Sequence, residues 1–160
     1  MSHNMDEYYP RPLPSHFDER EFICKCPRYC YHEAPEIYPA LASFLVALRA
    51  IFGTAIIVTS GRRCMKWNTE CGGVRNSKHS TPTLMASDLT TPTPRNKASV
   101  EFLHMCAQLV QVCFYRSQVV EFYISRVMEK NGQYYFHIEW EKGELDASRR
   151  FIYVPETDRS

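Results

Sequence analysis

His79 and Asp88 stand nine residues apart in a stretch rich in Gly, Ser, Thr, Asn and Pro, and His137 lies far downstream in Tyr135-Phe136-His137-Ile138-Glu139-Trp140. Two imidazoles and one carboxylate make a first shell for a catalytic zinc, with the fourth position open to water. Zinc lowers the pKa of a bound water to about 7, and a nearby carboxylate can then take its proton before attack on a carbonyl. In a strand His137 and Glu139 project to the same face, because side chains alternate. Glu139 is therefore read as the general base, with an ordinary strand-surface charge as the alternative. Taken singly, each ligand has a plainer explanation: a hydrogen-bonding loop histidine, a turn-capping aspartate, a half-buried strand histidine. The metal reading rests on the three being brought together.

The elements that must do this are legible in outline. Leu41, Phe44, Leu45, Leu48, Ile51 and Phe52 recur at helical spacing between Glu36 and Phe52, with Pro39 suited to the first turn and Gly53 to the stop. Ala55 to Thr59 is a short β-branched run that reads as a buried strand. Ser60 to Pro94 has little regular period and reads as one long loop, functional or disordered, with a brief strand at Asp88-Leu89 on leaving it. Val100, Leu103, Ala107, Val110 and Phe114 predict a helix over 98–115. Val119 to Met128 and Tyr134 to Glu141 predict two strands joined by a hairpin turn at Glu129-Lys130-Asn131-Gly132, and Phe151 to Val154 a last strand. Residues 1–16 read as an extended arm, and 17–160 as one domain in which Phe22 and Ile23 anchor the first segment. The class expected is α+β, with helices packed on a small, mainly antiparallel sheet.

At 160 residues, 44% hydrophobic and 23% charged, the chain is long enough for a real core and ordinary in composition. A formal charge of +1 argues against a strongly electrostatic nucleic-acid or membrane binder. No apolar run is long enough to span a bilayer. The N-terminal residues lack the basic and apolar regions of a secretory signal, so the expected location is cytoplasmic as synthesised, and the chain is expected to act as a monomer. Seven cysteines are present. Cys24, Cys26 and Cys30 cluster near the start with His32 beyond them, a set that could hold a structural zinc but whose tight spacing favours plain thiols. Cys64 and Cys71 flank the start of the loop, and Cys106 and Cys113 read as core residues of a helix.

Ser60-Gly61-Arg62-Arg63, Asn68, Gly72-Gly73-Val74, Asn76-Ser77-Lys78-His79 and Ala86-Ser87-Asp88 together resemble the signature of the D-alanyl-D-alanine carboxypeptidase and hedgehog-type zinc peptidases. Phe22-Ile23-Cys24-Lys25-Cys26 and Phe136-His137-Ile138-Glu139 are similar to segments of the smaller phage and prophage members. The resemblance spans about residues 17–141. It implies that His79, Asp88 and His137 are zinc ligands, that Arg63 supports the oxyanion and the substrate, and that Ser77 contacts substrate or orients the site. Two features depart from the pattern. The family's H-x-x-G-x-A-x-D interval is lengthened here, with the Gly replaced within Thr81 to Met85. The carboxylate that the carboxypeptidase branch carries three residues before its last His is here Tyr134, which leaves Glu139 as base and Glu121 as a weaker candidate.

The function so implied is zinc-dependent hydrolysis of peptide bonds in peptidoglycan stem peptides, at either the D-Ala-D-Ala or the L-Ala-D-Glu bond, after phage-type release or from within a virion. Tyr134, Tyr135 and Trp140 can line a substrate groove. The competing reading is a catalytically weak or inactive binding or structural module of a phage particle that keeps the peptidase fold. A small nucleic-acid-binding zinc protein built on the Cys24 cluster lacks the basic excess it would need.

Overall fold

Helical spacing puts Leu41, Phe44, Leu45 and Leu48 on one fully buried face of α1 (Pro39–Phe52). The computed structural model describes residues 16–118 and 120–143. Helix α1 starts at Pro39, which occupies its first turn, and stops at Gly53, whose φ of 81° lets its N–H close on the Arg49 carbonyl. The expected start at Glu36 is displaced because Glu36 and Ile37 form the short strand β1 (Glu36–Ile37). In α3 (Lys97–Gln118), Val100, Leu103, Ala107 and Val110 form the buried face, and the Asn96 side chain accepts the Ser99 N–H at the helix start.

The sheet is antiparallel throughout. Strands β2 (Ile57–Ser60), β4 (Ala86–Thr90), β7 (Gln133–Lys142) and β5 (Glu121–Ile124) lie in that order, and β6 (Met128–Lys130) pairs with the first part of β7. The single strand expected up to Met128 is broken at Ser125–Val127 into β5 and β6, so Glu129 and Lys130 are strand and the turn is Asn131-Gly132 alone. With φ of 53° and 76° these two residues take the left-handed pair that a tight hairpin requires.

Phe136 and Ile138 of β7 and Leu89 of β4 are fully buried. They face the two helices in one core, where the Phe44 and Phe122 rings sit 4.5 Å apart. Alternation therefore sends Tyr135, His137 and Glu139 to the opposite face of β7. The chain is α+β, as its periodicity implies.

The region read as one long loop is more ordered than its composition suggests. It contains α2 (Met65–Glu70) and β3 (Thr83–Leu84), which pairs in parallel with β1 through Glu36–Thr83 and Ile37–Leu84. Neither had a readable period: α2 is under two turns long, and β3 is two residues. Phe22 is fully buried as expected, whereas Ile23 is only half-buried. Cys106 is buried but Cys113 is exposed on α3, contrary to the expectation that both are core. The 151–154 strand, the Phe114 side chain, Val119 and residues 1–15 lie outside the described residues. No helix among those described is long and apolar enough to cross a membrane.

Candidate metal centre

Asp88 and His137 are direct cross-strand partners on β4 and β7. Their side chains therefore meet on the face away from the helices, with His137 Nδ1 at 2.8 Å from Asp88 Oδ1. The register is pinned at Ser125, whose N–H donates to the His137 carbonyl and whose Oγ accepts the His137 N–H, each at 2.8 Å.

His79 arrives from outside the sheet, on the loop that follows α2. Its Nδ1–H donates to the Gly61 carbonyl at 2.6 Å; a carbonyl can only accept, so the proton is on Nδ1 and the Nε2 lone pair is free. That lone pair points at Asp88 Oδ1, 3.3 Å away, and His137 Nδ1, 3.1 Å away. The Arg63 N–H donates to the His79 carbonyl at 2.8 Å, and Ser77 Oγ accepts the His79 N–H at 3.2 Å. The loop is thus held from three sides.

The lengthened His79-to-Asp88 interval does not disturb this convergence. The interval contains β3 and a turn in which Thr81 Oγ1 donates to the Lys78 and Thr83 carbonyls. The interval includes a strand paired with β1, and the His79 and Asp88 side chains still meet.

Tetrahedral zinc with bonds of about 2.0–2.1 Å to nitrogen or oxygen sets its ligand atoms about 3.3 Å apart. The three separations here, 2.8, 3.1 and 3.3 Å, are close to that edge. A second carboxylate supports the donor set from behind: Glu139 Oε1 accepts the His137 Nε2–H at 2.8 Å, which leaves Nδ1 as the atom that could bind a metal. The residues therefore fit a zinc ion.

The electrostatics agree. Burial opposes charging Asp88, yet the His137 and His79 rings against it hold its carboxyl well below the usual carboxylate range. Burial likewise lowers His137, but Asp88 and then Glu139 outweigh it and raise the ring above its ordinary value. Glu139 is held low by His137 and Lys78 against its partial burial. Its Oε2 lies 3.1 Å from Lys78 Nζ, an ammonium that also donates to the Trp140 carbonyl.

Arg63 stands beside the ligands, with Nη2 3.6 Å from Asp88 Oδ2. Its fork is fixed by Ser60 Oγ at 3.2 Å and by Asn68 Oδ1 at 3.1 Å. Asn68 is buried and its amide also donates to the Val74 carbonyl at 2.8 Å. A Cβ on Gly73 would fall 2.1 Å from Asn68 Oδ1, which explains the glycine there. The sequence named Asn68 and Gly73 within a motif without giving them a task; their task is to aim Arg63. Lys78 was likewise named within a motif without a task, and Ser125 carried no signal that sequence reasoning could use.

Arg63 and Asp88 open onto a cavity of about 560 Å³ that also presents Lys25, Arg62, Arg95 and Lys130. Tyr134 and Tyr135 line it, whereas Ser77, His137, Glu139 and Trp140 do not. Trp140 instead packs on the Tyr38 ring at 5.1 Å. Glu121 lies at the end of β5, with Oε2 3.2 Å from Lys142 Nζ, and is not brought to the metal ligands.

The family model described as Peptidase M15 matches residues 15–120, a span that holds His79, Asp88 and Arg63 and ends before β5. No curated protein and no solved structure matches the sequence. His137 and Glu139 lie beyond the matched span, and it is the strand register that brings them to His79 and Asp88. With the match covering well over half of its length, the chain belongs to the Peptidase M15 family.

Proposed function

We propose that the protein is a zinc metallopeptidase that hydrolyses peptide bonds in peptidoglycan stem peptides. The observation that carries this is the triangle of His79 Nε2, Asp88 Oδ1 and His137 Nδ1, set beside an arginine that opens onto a cleft. M15 peptidases are zinc-dependent. A zinc ion bound by the three residues would activate water and polarise a substrate carbonyl. Arg63, with its donors already aimed by Ser60 and Asn68, supports the carbonyl oxygen as negative charge develops on it.

The cleft favours an anionic peptide. Five cationic side chains (Lys25, Arg62, Arg63, Arg95 and Lys130) line it against the one carboxylate of Asp88. Stem peptides carry free carboxylates, and such a field attracts and orients them. Both the D-Ala-D-Ala and the L-Ala-D-Glu bond lie next to a carboxylate, so the charge is compatible with either.

Glu139 takes a different part from the one its position in the sequence suggests. One of its oxygens accepts from His137 Nε2 and the other is paired with Lys78. Nε2 is on the side of the ring away from the ligand atom. We therefore assign Glu139 to positioning: it fixes the tautomer and orientation of His137 and strengthens Nδ1 as a donor to metal. Ser77, outside the cleft lining and bound to the His79 amide, is likewise assigned to orienting the loop.

A second reading is favoured by one observation. Asp88 is the only carboxylate that lines the cleft among the described residues, which leaves the cleft without a second acid to serve as base. A zinc-dependent peptide-binding module would have this composition. Metal analysis combined with hydrolysis of purified peptidoglycan, for the wild type and His137→Ala, tests both. Zinc at this centre with release of D-Ala or new amino termini, one equivalent of zinc and the release both being lost in the variant, supports the peptidase. Zinc with binding but no release supports the module, and a wild type that takes up no zinc sinks both.

A further inference from the structure

Cys24, Cys26, Cys30 and Cys64 come together away from the metal centre, their Sγ atoms all within 4.8 Å of one another. Cys24 and Cys26 are buried; Cys30 and Cys64 are partly so. We propose that these four thiolates bind a second, structural metal ion, zinc foremost, which ties the N-terminal segment to the loop that carries Arg63.

The spacing is that of a metal site. Zinc bonded to sulfur at about 2.3 Å sets tetrahedral sulfurs about 3.8 Å apart, and Cys26 Sγ lies 3.6 Å from Cys30 Sγ. A disulfide needs about 2.05 Å, and all four cysteines are free. The backbone is arranged to receive thiolates. The Cys64 N–H donates to Cys24 Sγ at 3.2 Å and the Tyr29 N–H to Cys26 Sγ at 3.3 Å, each stabilising negative charge on sulfur.

Four sulfurs fill a tetrahedral shell and leave no open position, which is the mark of a structural site. The sequence alone suggests His32 as the fourth ligand, but its Nε2 lies 2.8 Å from the Cys26 carbonyl oxygen. A carbonyl can only accept, so Nε2 carries the proton and has no lone pair for a metal. The same N–H is directed at Cys26 Sγ, 3.2 Å away. Histidine therefore supports the shell from outside, and Cys64, distant in sequence, completes it.

The location gives the ion its task. No helix or strand organises residues 22–35, and a chain segment of this kind gains most from a bound metal. Cys64 directly follows Arg63 and occupies the position just before α2. On one side of the cluster the Arg62 N–H donates to the Phe22 carbonyl at 2.9 Å. On the other, the Tyr29 hydroxyl donates to Glu70 at 2.8 Å, and its ring packs against Trp67 of α2. An ion at the four sulfurs would close this frame around the residues that aim Arg63 and His79.

The test is made in the His137→Ala chain, so that it stands or falls apart from the peptidase reading. The expected result is one zinc per chain, lost on adding Cys64→Ser. Cobalt in place of zinc should give the intense near-ultraviolet sulfur-to-metal bands that the nitrogen and oxygen ligands of the other centre cannot give. Should Cys64→Ser fail to fold, the unsubstituted chain serves: four thiols should resist alkylation until a mercurial releases one equivalent of zinc with them. A His137→Ala chain that holds no metal, cobalt spectra without the sulfur bands, or four thiols that alkylate freely in zinc would each overturn the proposal.

Discussion

Glu139→Gln separates two roles that a carboxylate beside a metal ligand can play. The substitution keeps the size of the side chain and leaves a neutral oxygen to accept the His137 Nε2–H, now 2.8 Å from Glu139 Oε1. What it removes is the charge. A hydrogen bond to a charged group is worth about 1.5–3 kcal/mol and a neutral one about 0.5–1.5 kcal/mol, so His137 loses on the order of 1 kcal/mol of support. The carboxylate is 23% exposed, which screens part of this. Lys78 keeps a partner in Glu141 at 3.6 Å and in the Trp140 carbonyl. Zinc affinity should therefore fall about tenfold, at the lower end of the roughly 10–100-fold range for the outer partners of a metal ligand. Once the site is saturated with zinc, kcat on a stem-peptide substrate should stay within about tenfold of wild type, since a general base would contribute about 10²–10⁴-fold.

The assay is competition with a chromogenic chelator for the affinity, and product release at saturating zinc for kcat. Unchanged zinc affinity with kcat reduced by about a hundredfold or more would refute the positioning role and restore Glu139 as the base. The affinity arm can be read even if the substrate has been misjudged.

Zinc affinity at this centre should rise with pH. The His137 pKa is raised in the folded chain, so below that value Nδ1 must lose a proton before it can bind metal, and the dependence flattens above it; titration calorimetry in buffers of different ionisation enthalpy should count the proton released, and an affinity flat between about pH 5 and 8 would contradict the geometry. Arg63→Lys keeps the charge but gives up the fork held by Ser60 and Asn68; kcat should fall about a hundredfold with zinc content unchanged, and an equal loss of zinc would place Arg63 among the determinants of the metal site instead. Gly61→Ala would put a Cβ 2.5 Å from Phe22 Cα and 2.8 Å from its carbonyl oxygen, both backbone atoms that cannot step aside; the expected cost is about 1–3 kcal/mol, measured as a shift in the urea midpoint, and a variant as stable as wild type would mean that the two segments are not pressed together.

Sequence periodicity located what long elements do. The apolar faces of α1 and α3, the Asn131-Gly132 turn and the alternation in β7 all follow from patterns several residues long. It gave no sign of α2, β3 or the break between β5 and β6, because a helix of under two turns and strands of a few residues hold too few positions to show a period. Their form is set by distant partners: β3 by β1, and the β5–β6 break by Ser125, which bonds both backbone groups of His137. The ligand types could be named from sequence, but the ligand atoms could not. That His79 would bind metal through Nε2 and His137 through Nδ1 depends on the Gly61 carbonyl and on Glu139, one of them a backbone group with no identity in the sequence.

The same dependence explains how His79, Asp88 and His137 converge across a long His79-to-Asp88 interval. Asp88 and His137 are fixed to each other by strand register, and a slip of one residue would send His137 to the helix side of the sheet. The register is guarded by Ser125 and by the buried side chains of Phe136 and Ile138 on the other face. His79 is fixed by a different frame, made of Gly61, Arg63 and the N-terminal segment against which Gly61 is pressed. The residues between the two ligands therefore do not set the distance between them. They need only span it, and here they do so by way of a strand paired with β1. It follows that the metal centre is more sensitive to a change at Gly61 or Ser125, neither of which is a ligand, than to one at Thr81 or Pro82 within the ligand loop itself.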